Sequence, residues 1–246
     1  MAFGPDGTWL ATASDDDTAR LLEVATGREA MRLQHEGSVC ALAFSPDGTL
    51  LATGSHDGKA RLWEVATGRE RAHMGPHDPM ASALVVAFSP DGTMLATDAG
   101  EPTATREHGT PVRLREVATG RERVQLWHGG TPTDALFSPD GTWLATIDIV
   151  EATAQLWEVA TGRKHAEMKH TDSFFLNRVH QVAFSPDGTL LATASQDGTA
   201  KLWEVATGRE TAKLRHDGAV SGVAFSPDGT RLATASDDGI ARLWAV

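Results

Sequence analysis

Apolar residues in this chain come in short runs broken by turn tetrapeptides, and no ten-residue stretch keeps the 3.6-residue spacing of an amphipathic helix. In residues 39–74, Val39–Phe44 is a mostly apolar run closed by Ser45-Pro46-Asp47-Gly48. That tetrapeptide suits a type I turn, because Pro presets φ at its second position and Ser and Gly favour its ends. Leu50–Ser55 is a second run, closed by the Asp57-Gly58 hairpin signal. Residues 60–65 alternate apolar and polar side chains as a half-buried strand does. Ala66-Thr67-Gly68 then turns the chain, and 69–74 is a more polar fourth strand.

The pattern repeats. Phe-Ser-Pro-Asp-Gly starts at Phe44, Phe88, Phe137, Phe184 and Phe225, and the variant Phe3-Gly4-Pro5-Asp6-Gly7 opens the chain, at intervals of 41, 44, 49, 47 and 41 residues. Glu-Val-Ala-Thr-Gly-Arg starts at Glu23, Glu64, Glu116, Glu158 and Glu204. Four short strands at a period of about 40–45 residues predict an all-β fold, a six-bladed β-propeller of four-stranded antiparallel blades occupying residues 1–246 as one domain.

Leu-Trp-Glu at Trp63, Trp157 and Trp203, Leu-Trp-Ala at Trp244, and His35, His128 and His216 each nine residues before a repeat phenylalanine carry a resemblance to the WD-repeat β-propeller family. The resemblance implies a hydrogen-bonded tetrad of His, Ser or Thr, Asp and Trp in a blade. The matching residues are His35, Ser55, Asp57 and Trp63 in the second blade and His216, Ser236, Asp238 and Trp244 in the sixth. The fifth supplies Ser195, Asp197 and Trp203, with His170 and His180 both open as its histidine. It also implies a non-catalytic role in protein interaction. Near-identical blades of this kind resemble those of bacterial multidomain proteins, where propellers act as sensors or scaffolds beside kinase or NTPase modules.

Ser, His and Asp together also suit a hydrolase, but the set recurs in several blades whereas an active site occurs once, and no Gly-x-Ser-x-Gly elbow precedes a helix. No catalytic residue is therefore expected. The ten histidines do not form close-spaced ligand sets, His56-Asp57, His77-Asp78 and His216-Asp217 included, so neither metal nor cofactor is expected. The chain carries 22 Lys and Arg against 33 Asp and Glu, a formal charge of −11, which disfavours nucleic acid and favours a basic partner surface. No apolar stretch approaches the ~20 residues that span a bilayer, so no membrane partner is expected. The single cysteine, Cys40, rules out an internal disulfide and suits a cytoplasmic setting. Cys40 lies between Val39 and Ala41 in an apolar strand, which predicts a buried, inert thiol.

The Ser-Pro-Asp-Gly and Ala-Thr-Gly turns barely vary, so variation collects in the other two connections, which share the opposite end of each blade. The third blade replaces its Asp-Gly turn with residues 99–111, including Glu101, Arg106, Glu107 and His108, and has Arg115 in place of its Trp. The fourth lacks the Ser-x-Asp-Gly turn. The connection 171–180 carries Phe174, Phe175, Leu176 and Arg178, residue types that make interface hot spots. These eight loop residues are the candidate protein- or peptide-binding set, with packing over the blades as the other reading of the aromatic triplet. The alternative function is a small-ligand or enzymatic propeller using the channel mouth, for which the innermost strands offer few polar residues.

The sixth repeat stops after its third strand, for 23 strands against 24 in a complete six-bladed ring. Three explanations stand: a fragment of a longer protein, closure without one outer strand, or self-association through the open edge at residues 241–246.

Overall fold

The computed structural model describes residues 1–75, 85–98, 110–148, 150–170 and 178–246. Among them are 23 strands and no helix, arranged as six antiparallel propeller blades. By contacts the chain divides into two compact units, Met1–Trp127 and His128–Val246.

The first unit holds three four-stranded sheets. The first is β1 (Ala2–Phe3), β2 (Trp9–Ala13), β3 (Thr18–Glu23) and β4 (Glu29–Gln34). The second is β5 (Val39–Phe44), β6 (Leu50–Ser55), β7 (Ala60–Glu64) and β8 (Glu70–Met74). The third is β9 (Val86–Phe88), β10 (Met94–Thr97), β11 (Pro111–Glu116) and β12 (Glu122–Trp127). The second unit holds two more of the same plan and one of three strands. These are β13 (Pro132–Phe137), β14 (Trp143–Asp148), β15 (Thr153–Glu158) and β16 (Lys164–Lys169), followed by β17 (Val179–Phe184), β18 (Leu190–Ser195), β19 (Thr199–Glu204) and β20 (Arg209–Arg215). The last is β21 (Val220–Phe225), β22 (Arg231–Ser236) and β23 (Ala241–Ala245).

The recurrent tetrapeptide makes the first turn of each blade. In the second sheet Gly48 N–H donates to the Ser45 carbonyl at 2.9 Å, while the Asp47 carboxylate accepts from Ser45 Oγ at 2.6 Å and from Thr49 N–H at 3.0 Å. The carboxylate thus holds the chain reversal closed, and Pro-Asp-Gly stands in all six copies, with glycine for serine only at Gly4.

Within a unit the blades pack face to face through alternating positions of the third strand. Leu62 of β7 turns toward the third sheet, in a cluster with Ala52, Met74 and Leu95. Its neighbour Trp63 turns the other way, onto Ala11, Leu21 and Leu33 of the first sheet. Trp203 of β19 likewise packs on Leu156 and Met168 of the fourth. Each such buried side chain stabilises by about 1.5–3 kcal/mol, so the junctions between blades are the core.

Two β-bulges recur and reset the alternation. One falls between Leu62 and Trp63 where β7 pairs with β8, the other between Val39 and Ala41 where β5 pairs with β6. The second corrects the expectation for Cys40, which is the bulged residue and is exposed. A bulge leaves its extra residue out of the period-2 pattern, so an apolar neighbourhood in sequence does not bury it. The sulfur turns back toward the Gly54 carbonyl at 3.5 Å. Partial desolvation, helped by the charges of Asp98 and Asp57, pushes the thiol up to about 11, so it is protonated and unreactive near neutrality.

Candidate functional site

The repeated polar residues converge in four blades on one threonine. In the second sheet Thr53 Oγ1 lies 2.9 Å from Trp63 Nε1 and 2.7 Å from His35 Nε2. Thr146 stands likewise between Trp157 and His128, at 2.9 and 2.8 Å. Thr193 stands between Trp203 and His170, at 2.9 and 2.6 Å. Thr234 stands between Trp244 and His216, at 2.9 and 2.7 Å.

Chemistry assigns the protons. An indole N–H only donates, so the threonine oxygen accepts from it and gives its own proton to the histidine Nε2. The imidazole is then the neutral Nδ1–H tautomer, and that proton needs an acceptor of its own. His35 gives it to the Leu33 carbonyl at 3.1 Å, whereas His216 Nδ1 lies 3.1 Å from the Asp238 carboxylate with Arg242 Nη1 against the same nitrogen. His170 gives it to Thr199 Oγ1 at 3.0 Å, with Asp197 at 3.4 Å.

This arrangement corrects the expected hydroxyl. Ser55, Ser195 and Ser236 do not bridge the Trp and the His; the residue two positions earlier does. Ser55 Oγ instead donates to the Gly37 carbonyl at 2.7 Å, and Ser236 Oγ to that of Gly218 at 3.0 Å. In all three blades the serine also accepts the Asp backbone N–H at the turn. A strand places residues i and i+2 on one face, so residue type and parity alone could not separate Thr53 from Ser55. The distinguishing signal was Leu-Ala-Thr, present in all six copies where the serine is not.

The aspartates have diverged among blades. Asp57 is fully buried and pairs with Arg61 at 2.6 Å, accepting in addition the Glu36 and Lys59 N–H groups. Burial alone would raise its pKa, but Arg61 and those donors hold it below the ordinary carboxylate value. Asp197, despite its burial, is lowered to about 2 by His170 and Thr199. Asp238 accepts from Arg242 at 2.8 Å and from the Ile240 and Asp217 N–H groups, and these with His216 hold it low against desolvation.

The fourth blade has the full framework without the turn signal. Asp148, at the end of β14, accepts from Gly130 N–H at 2.9 Å and from the N–H groups of Val150 and Glu151. His128 and Trp157 were legible in the sequence, but Asp148 sits on the strand where four of the other copies have serine, so the turn pattern did not mark it. His170, not His180, serves the fifth blade; His180 is the bulged, exposed residue of β17.

In the second blade these groups are buried, at 0–1 % exposure for Thr53, Ser55 and Asp57, and their polar atoms bond to one another and to nearby backbone. Among the described residues no three His, Cys, Asp or Glu side chains gather as metal ligands. Of the candidate partner-binding set, Glu101, Arg106, Glu107, His108, Phe174, Phe175 and Leu176 lie outside the described residues. Arg178 is described: it is exposed, and its carbonyl accepts the Gln196 N–H at 2.8 Å. Arg115 of β11 stands at the tryptophan position of the third blade, with Nη2 3.0 Å from Glu122 and Nη1 3.5 Å from the Gly120 carbonyl. Burial, reinforced by Arg113, lowers its pKa against the pull of Glu122.

No curated protein sequence matches the chain. The WD40 family, described as WD domain, G-beta repeat, matches residues 1–22, 28–64, 168–204 and 208–245, just over half of the chain. Each full match runs from the outer strand of one blade through the three inner strands of the next, the span over which His35 reaches Thr53 and Trp63. WD40 repeats generally mediate protein–protein interaction. With that match, the six sheets and the His–Thr–Trp framework, the chain belongs to the WD-repeat family.

Proposed function

We propose that the chain is a cytoplasmic, non-catalytic interaction module that holds a protein or peptide through the variable connections of its blades. The observation that supports this reading most is the recurrence of one polar framework in four blades. Groups that would suggest catalysis are spent identically on tying strands together. The largest differences between blades fall in the connections, with Phe174, Phe175, Leu176 and Arg178 in one and Glu101, Arg106, Glu107 and His108 in the other. The acidic chain favours a partner with a basic surface.

The test is replacement of Phe174, Phe175 and Arg178 together by Ala. The expected outcome is loss of a captured partner at unchanged melting temperature. Partner capture that survives the triple variant would remove these residues from the interface.

A second reading, self-association, is favoured by the last sheet. Leu243 of β23 is 69 % exposed, whereas Leu62 at the corresponding position is 2 % exposed. An exposed apolar face of this kind can bury itself against another chain.

A further inference from the structure

One junction between blades departs from the others, and the departure opens a space. Between the first and second sheets, Trp63 and Val65 pack with Ala11, Leu21, Leu33 and Leu51. Between the second and third, Ala52, Leu62, Met74, Leu95 and Val117 reproduce that cluster, but Arg115 stands where the indole would lie. Met31, which flanks the indole's junction, is matched by the smaller Ala72.

A cleft of about 430 Å³ lies at this place, floored by Leu62, Met74 and Leu95 and edged by Ala72, Arg71 and Arg115. The turn glycines record the same difference. A Cβ on Gly68 would meet Met31 Sδ at 3.0 Å and one on Gly208 would meet Ala166 Cβ at 2.5 Å, whereas one on Gly120 meets nothing within 4 Å. The cleft falls within the roughly 300–1,000 Å³ of small-molecule sites.

Its charge is positive on one side. Arg115 Nη2 reaches Glu122 at 3.0 Å, and Arg113 Nε reaches the same carboxylate at 3.3 Å. Glu116, which also lines the cleft, is paired with Arg123 at 3.2 Å. Arg115 Nε is buried without a hydrogen-bond partner. The adjoining groove is of mixed charge, lined by Asp47 and Asp91 as well as Arg71 and Arg123.

We propose that this cleft binds a planar aromatic ring of indole size bearing a carboxylate. The ring takes the apolar floor that a tryptophan side chain fills in the neighbouring junction, and the carboxylate meets the Arg115 guanidinium at its unpartnered Nε, with Arg71 at the rim. A neutral aromatic would leave that buried N–H unanswered, and an aliphatic acid would leave the floor unfilled. The inference is independent of partner contact through the loops.

The test is titration of the full chain with indole-3-propionate, its amide, and a tripeptide ending in tryptophan as free acid. Saturable binding of either free acid supports the proposal, and the tighter of the two names the source as a small molecule or a peptide C-terminus. Arg115→Gln is expected to weaken the free acid by ~10-fold or more while leaving the amide little changed. Arg115→Trp, which places the repeat's own indole in the cleft, is expected to abolish both and to raise the melting temperature. If Arg115→Gln does not fold, the comparison of acid and amide on the wild-type chain reads the same preference. No saturable binding of the free acids, equal affinity for acid and amide, or undiminished binding by folded Arg115→Trp overturns the proposal.

Discussion

A threonine hydroxyl that accepts from an indole and donates to an imidazole serves two buried groups, so its removal orphans both at once. Thr53→Val is expected to cost about 2–4 kcal/mol, against about 1 kcal/mol for Ser55→Ala, which breaks bonds only to backbone at a turn. Urea unfolding of the two variants checks the order, and a costlier serine variant would refute the threonine as the bridge. Titration gives a second residue-scale outcome. Desolvation, with the Arg61 charge, lowers His35 to about 4, below the ordinary 6.5 of the unfolded chain. The unfolded state therefore binds the proton first, and the stability His35 contributes is present above pH ~6.5 and lost as pH falls toward 4. The difference in melting temperature between wild type and His35→Gln is expected to shrink across that window; a constant difference would mean the imidazole is not held neutral. Of this framework the His and Trp were legible as repeated outliers in an otherwise bland pattern. The hydroxyl was not read from residue type and parity, because Thr53 and Ser55 share a face; the recurrence of Leu-Ala-Thr in all six copies was the signal that could separate them.

At the scale of elements, strand positions and turns followed from short-range chemistry. Val39–Phe44 and Leu50–Ser55 have the bounds that their flanking turn residues predict. The hairpin of the fourth blade shows what happens when that chemistry is absent. Ala152 there adopts φ +55°, a left-handed conformation that the other blades assign mostly to glycine, as at Gly58 and Gly198. An alanine in that region is strained by about 1–2 kcal/mol. Ala152→Gly is therefore expected to stabilise the second unit by roughly 0.5–1 kcal/mol once the added freedom of the unfolded glycine is offset. Thermal unfolding measures it, and a destabilised variant would show that the methyl group makes a compensating contact. The bulges were illegible, since they arise from pairing between strands and leave no composition of their own; Cys40 was misplaced for that reason.

For the whole molecule, repetition dictated the number of blades and left their associations open. Within each unit the junctions bury the third-strand leucine of one blade against the next, as with Leu21, Leu62, Leu156 and Leu202, and Leu243 continues that pattern on a surface that is exposed. If this surface takes a second copy of the chain, the mass measured in solution rises with concentration for the wild type and stays monomeric for Leu243→Glu. A wild type that is monomeric throughout would sink the self-association reading. The family match covers the first, second, fifth and sixth blades and passes over the third and fourth, where Arg115 replaces a tryptophan and Asp148 replaces a serine.

The sequence by itself determined the class, the period, the turns and the strand count, because these depend on residues within a few positions of one another and the chain states them six times. Only the tertiary structure decided which hydroxyl joins Trp63 to His35, that His170 serves the fifth blade, and that Arg115 faces a cleft. Each of those depends on atoms brought within about 3–4 Å by strand pairing and blade packing, and neither the register of a bulged strand nor the volume left beside a substituted side chain is written in the order of the residues.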